Sequence, residues 1–165
     1  MNLRNIKVED YNQCANNLVA AYAGSPWFNK WTEQEAKLRI EATMSGFNSR
    51  GFVIEDEHKI IAMCLGRIDY YFNGFNQFCI DEFNVIPNLQ GSGIGKQLMN
   101  FVKDELKNEN INNMFLITGG ELAANFYTKN NFKVTNEGYM LSLRHISEHT
   151  RLLSISYDFL CLKKT

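Results

Sequence analysis

The spacing of apolar residues changes period several times along the chain, and each change marks an element. Leu3 to Val8 reads as a first strand. Tyr11, Leu18, Val19 and Tyr22 then recur at roughly helical spacing, which predicts a helix over 11–22 with Asp10 as its N-cap. Thr32 and Glu35 have the spacing of a capping box, so a second helix should run from there to about Ser45 and close at Gly46. The runs 51–56 and 60–72 are strand-like and joined by a tight turn, and Asn73-Gly74 predicts a hairpin into a fourth strand, Gln77 to Val85, ended by Pro87. Ile94, Leu98, Phe101, Val102 and Leu106 mark one face of a third helix. The apolar run 114–118 follows as a buried parallel strand. Leu122, Ala123, Phe126 and Tyr127 suggest a fourth helix, ending near Asn130-Asn131, before a strand pair over 132–135 and 139–144. In the tail, Leu153, Ile155, Tyr157, Phe159 and Cys161 alternate with mostly polar neighbours, as in an extra edge or interface strand. This order predicts one mixed α/β domain over 1–165, with a core over 3–144 and a tail over 146–165. Its central, partly antiparallel sheet is flanked by helices.

Composition narrows the function classes without choosing one. A 165-residue chain that is 45% hydrophobic and 21% charged has the makeup of a single soluble globular domain. Its net charge of -1 argues against general binding to nucleic acid or to an anionic membrane. The opening residues lack the apolar core of a signal peptide and no later run approaches a membrane span, so a cytoplasmic protein is expected. Cys14, Cys64, Cys79 and Cys161 are scattered, and His58, His145 and His149 form no ligand pattern with them, so neither a metal site nor a disulfide framework is expected.

The stretch NLQGSGIGKQ, residues 88–97, carries the chemistry. Gly91, Gly93 and Gly95 alternate ahead of Lys96 and a helix start, a place where backbone amides can approach an anion closely. A nucleotide P-loop would need glycine at 90 and a hydroxyl at 97, where Gln90 and Gln97 stand. A dinucleotide fingerprint from Gly91 would need glycine at 96, which is Lys96, and a parallel βαβ start rather than a hairpin. What remains is Q-x-x-G-x-G: Gln90, Gly91, Ser92, Gly93, Ile94, Gly95.

This turn resembles the pyrophosphate loop of the GCN5-related N-acetyltransferases. Phe83-Asn84-Val85-Ile86-Pro87 resembles that family's strand for the pantetheine arm, and 125–132, NFYTKNNF, resembles its "FYxxxGF" segment. The element order is similar to the family's from Leu3 to about Arg144. Two positions depart from the pattern: Gly120 stands where many relatives have Asn, and Asn131 stands where Gly usually precedes Phe132, a mild change because Asn tolerates the left-handed conformation.

The resemblance implies acetyl-CoA as cosubstrate, bound by backbone N–H groups from Gly91 to Lys96 and by the strand Phe83, Asn84 and Val85, with Gln90, Ser92, Ile94 and Asn125 in the same binding segments. The Val85 amide is the implied donor to the thioester carbonyl. Tyr127 is the implied acid for the departing thiolate, since a phenol of pKa about 10 can protonate a thiol of pKa about 8.5. A carboxylate should deprotonate the acceptor amine. Alternation along a strand puts Asp81 and Glu82 on opposite faces, so only one can look into the site; relatives carry acids at either position, and Glu82 is preferred.

The implied acceptor is a small cationic amine of the aminoglycoside or polyamine kind. Trp27, Phe28 and Trp31 would cover it, and Asp69, Tyr70, Tyr71 and Phe72 would supply an acidic and aromatic wall. Trp27 and Trp31 read equally well as core and staple residues. A peptide N-terminus or lysine side chain as acceptor, and an acyl-CoA-binding sensor without turnover, stay open as alternatives. Members of the family often pair, so a homodimer is also an expectation.

Overall fold

The computed structural model describes residues 1–136. The expected strand 139–144 and the tail 146–165 lie outside them, and 132–136 carry no strand pairing among the described residues. The chain divides into two compact units, Met1–Leu116 and Ile117–Thr165.

The first unit holds β1 (Asn2–Asn5), α1 (Tyr11–Ala23), α2 (Glu33–Met44), β2 (Ser49–Asp56), β3 (Lys59–Asp69), β4 (Gln77–Val85), α3 (Ile94–Asn108) and β5 (Asn113–Phe115). The strands lie in sequence order, with three antiparallel pairings and then β4 parallel to β5. This is the mixed sheet that the alternation of strand and helix patterns predicted. β1 stops three residues short of Val8 because the Asp10 carboxylate accepts a 2.7 Å bond from the Lys7 N–H and starts a helical turn at Val8. Asp10 therefore does not cap α1 by its side chain, as its position suggested. The capping box of α2 is present as read: Thr32 accepts from the Glu35 N–H, and the Glu35 carboxylate accepts from the Thr32 N–H.

Both faces of the sheet are covered. On one, Cys14, Ala15 and Leu18 of α1 and Ala36 and Ile40 of α2 pack with Val53, Ile60, Met63 and Leu65. On the other, Phe52 meets Phe78 and, edge-on, Phe101 of α3. α3 buries Ile94, Leu98, Val102 and Leu106 of the face its periodicity marked, together with Met99, while Phe101 of that face is half-buried.

Two connections differ in kind. The β2–β3 turn is tight, with Glu57 and His58 at φ of 46° and 65°, the conformation a two-residue hairpin requires. Asn73 and Gly74 also adopt left-handed φ, of 57° and 69°, but at the tip of a longer loop over 70–76. The expected continuation of β3 to Phe72 is absent because the Tyr71 N–H bonds to the Asn76 side chain instead of to a ladder partner.

β3 and β4 slip by one position between Leu65 and Gly66: Leu65 stands opposite Glu82 and Gly66 opposite Ile80, so Asp81 is an extra, bulged residue. Gly66 permits this close approach, since a Cβ there would collide with the carbonyl oxygen of Cys79.

In the second unit, α4 (Glu121–Lys129) closes with Asn131 at φ 70°, the Phe132 N–H bonding to the Tyr127 carbonyl (3.1 Å) and the Asn131 N–H to that of Thr128 (3.1 Å). This is a Schellman ending in which asparagine does what glycine more often does. Its apolar contact is Tyr127 against Phe132, with ring centroids 5.4 Å apart.

Candidate functional site

The glycine turn links β4 to α3, and its backbone is arranged for a ligand. Gly91 and Gly93 have φ of 77° and 91°, and a Cβ built on either would meet nothing within 4 Å. The space over the turn is therefore open. Gly93 is the N-cap of α3 and offers no side-chain cap, so the N–H groups of the first helical turn, from Ile94 onward, have no intrahelical acceptor. Ser92 spends its hydroxyl on the Leu89 carbonyl, and Gln90 donates to the Val85 carbonyl (3.0 Å), tying the turn to the end of β4. Lys96 is exposed.

β4 presents its backbone beside this turn. The Ile86 N–H bonds to the Ile61 carbonyl, one step beyond the Ala62–Val85 pair. Antiparallel ladders alternate, so the N–H and C=O of Val85, and of Phe83 two residues earlier, are directed away from β3. Among the described residues, strand pairing on that outer side reaches only Cys79. A strand edge with outward-facing amides runs from there to a helix N-terminus with open glycines. Such a surface fits an extended diamide ending in a diphosphate.

Alternation along β4 does not separate Asp81 from Glu82. Glu82 lies opposite Leu65, and Arg67, on the same face of β3 as Leu65, lies opposite Cys79. Asp81 bonds to Arg67 and reaches the Cys79 thiol, so the bulge turns both carboxylates toward the α1–α2 side. This corrects the expectation of opposite faces. Asp81 is neutralised by Arg67, which also pairs with Asp69 at 3.3 Å.

Glu82 is buried, at 7% exposure. Its carboxylate accepts from Tyr22 Oη of α1 (3.0 Å) and from Arg39 Nε of α2 (2.8 Å). Burial pushes the carboxyl above its ordinary value, while the Arg39 guanidinium and the Tyr22 hydroxyl pull it back. Asn84, next on the same face, is also buried, and neither its amide nitrogen nor its amide oxygen has a hydrogen-bond partner among the described residues.

Among the expected acceptor residues, Trp27 stacks edge-on against Tyr22 at 5.9 Å and so joins the surroundings of Glu82. Phe28 is exposed, and Trp31 packs against the α1–α2 core, the staple alternative. Asp69 is held by Arg67; Tyr71 is exposed beside Phe75, and Tyr70 stacks on Phe47 at 6.1 Å. In the second unit, Tyr127 is half-buried between Phe126 and Phe132, and Asn125 is exposed. Arg39 and Arg67 went unread in the sequence, and Tyr22 was read only as part of the apolar spacing of α1. Arg39 carried no distinctive signal, since a charged residue flanking buried helix positions is the ordinary pattern of an amphipathic helix.

Residues 16–132 match the family model described as "Acetyltransferase (GNAT) family". No curated protein sequence matches the chain. Among solved structures, a "predicted acetyltransferase with acetyl-CoA" from Clostridium acetobutylicum is 18% identical, with a TM-score of 0.65 over 86% of this chain and 95% of that one. An aminoglycoside antibiotic 6'-N-acetyltransferase from Acinetobacter haemolyticus is 13% identical, with a TM-score of 0.68 over 87% and 99%. A transcriptional regulator from Bacillus halodurans is 18% identical, with a TM-score of 0.70 over 86% and 99%. At these identities the likeness is one of fold.

Proposed function

The chain belongs to the acetyltransferase (GNAT) family, and on that footing we propose that it transfers the acetyl group of acetyl-CoA directly to a primary amine of a small cationic molecule, aminoglycoside-like or polyamine-like. N-acetyl transfer and the acetyl-CoA cosubstrate go with the family and with neighbours that share the fold. The family match runs from the first compact unit into the second, which supports treating the chain as one catalytic domain. The observation that carries the reading is the outward-facing β4 backbone leading to the open glycine turn.

Bound acetyl-CoA supplies an acetyl thioester; the chain's own groups do the rest. First-turn N–H groups of α3 hold the pyrophosphate. The Val85 N–H donates to the acyl carbonyl oxygen as negative charge grows there. Glu82 takes the proton that a cationic amine must lose before its nitrogen can attack, and burial, which raises its carboxyl above the ordinary value, makes it a stronger base than a solvated glutamate. As the C–S bond breaks, Tyr127 gives a proton to the sulfur. Trp27, beside Tyr22, supplies an aromatic face that favours a cationic acceptor. Among the described residues no helix is long and apolar enough to cross a membrane, and the reading includes a cytoplasmic protein that pairs with a second copy.

The test is release of free thiol from acetyl-CoA with a panel of amines: polyamines, aminoglycosides, and peptides with free N-termini or lysines. Turnover is expected with the small cations. Turnover with peptides alone would move the acceptor class, and calorimetric binding of acetyl-CoA with no thiol release from any amine would make the chain a sensor. Tyr127→Phe should lower kcat and leave acetyl-CoA affinity unchanged.

A further inference from the structure

Glu82 owes its place to a guanidinium that touches two parts of the β4 bulge. Asp81 has no opposite residue on β3, so its carbonyl is left over from the ladder. Arg39 Nη2 donates to that carbonyl at 3.3 Å, while Arg39 Nε donates to Glu82 Oε1 at 2.8 Å. One planar fork thus holds the main chain of the bulge and the side chain that follows it, a geometry an ammonium group does not reproduce. The arginine side chain is 41% exposed and the glutamate side chain beneath it 7%. Asp81 has its own cation in Arg67, so the positive charge of Arg39 is matched to Glu82.

We infer that Arg39 is a positioning residue of the transfer reaction: from α2 it clamps the bulge so that the Glu82 carboxylate points to the α1–α2 side and keeps its charge there. The inference rests on Glu82 being the base of the proposed reaction. The groups facing that carboxylate are Tyr22 from α1, Arg39 from α2, Asp81 within β4 and, through Asp81, Arg67 from β3. Without Arg39, burial and the repulsion of Asp81 are opposed only by the Tyr22 hydroxyl, and the carboxyl holds its proton to higher pH. A base must be unprotonated to act, so the acid limb of the rate profile moves upward.

The experiment is the pH dependence of kcat and kcat/KM for the amine in the wild-type enzyme, Arg39→Met, Arg39→Lys and Glu82→Gln, with acetyl-CoA affinity and thermal unfolding measured on each. Arg39→Met is expected to move the acid limb up by about one pH unit or more, about a tenfold loss on the acid side, with acetyl-CoA affinity unchanged. Arg39→Lys is expected to restore the limb but not kcat, because it returns the charge without the fork. If Arg39→Met does not fold, the lysine variant decides: an unchanged kcat overturns the inference. A Glu82→Gln enzyme with the wild-type profile removes the base assignment and this inference with it. Loss of activity in Glu82→Gln beside an unaltered profile in Arg39→Met overturns the inference alone.

Discussion

The phenol of Tyr22 donates a 3.0 Å hydrogen bond to Glu82 Oε2, joining the last turn of α1 to the middle of β4. The ring that makes this bond also carries Trp27 on its edge. Tyr22 thus connects the loop proposed to cover the acceptor to the carboxylate proposed to deprotonate it.

Tyr22→Phe keeps the ring and removes the bond. The hydrogen bond favours the charged form of Glu82, so without it the carboxyl should hold its proton to higher pH: kcat should fall on the acid side, and the acid limb should move upward by less than in Arg39→Met. Steady-state kinetics across pH would check both. An unshifted profile in Tyr22→Phe would mean that this bond does not tune the Glu82 carboxyl.

Gly93→Ala tests the turn. Its φ of 91° costs an alanine about 1–2 kcal/mol, and the new methyl projects into open space rather than into the protein. The expected result is a modest drop in Tm with acetyl-CoA affinity weakened at least tenfold, as read by calorimetry. A lower Tm with unchanged affinity would mean the turn holds no pyrophosphate.

Asn84→Leu exchanges an unpartnered buried amide for an apolar side chain of similar size. An unsatisfied buried group costs about 1–3 kcal/mol, so chemical denaturation should show stability held or increased. If acetyl-CoA or the amine is the partner that this amide lacks among the described residues, affinity for that ligand should fall at the same time. A gain in stability with no loss of either affinity would leave Asn84 without a role.

Asp10→Asn reports on acid stability. Two Arg4 bonds, at 2.7 and 2.9 Å, and the Lys7 N–H hold the Asp10 carboxyl below its ordinary value. A depressed carboxyl stabilises the fold above its unfolded pKa, about 3.9, and that contribution disappears as pH falls through the lower folded value. The variant should lose about 1–3 kcal/mol at pH near 7. In denaturation curves the gap to wild type should shrink once pH falls below about 4. A gap independent of pH would show that charge is not its source.

Elements set by neighbours in sequence were legible in advance. Thr32 and Glu35 satisfy each other's backbone groups, the α3 face follows from one helical period, and Asn131 takes the left-handed ending that its small polar side chain tolerates. The left-handed backbone of the glycine turn was readable for the same reason, since it depends on glycine's conformational freedom beside a helix start. Alternation failed at Asp81 because a bulge is a mismatch between two strands, and β4 read by itself gives no sign of what β3 places opposite it. The loop at Asn73 was misjudged in length because strand ends depend on where pairing stops.

The order of strands and helices, the open turn at Gly91 and Gly93 and the family resemblance were written in local patterns, which obey short-range sterics and hydrogen bonding. The Glu82 environment was decided only when α1, α2 and β4 packed together. Tyr22 and Arg39 lie 60 and 43 residues away in sequence, and their grip on one carboxylate exists only once burial has taken that charge out of water.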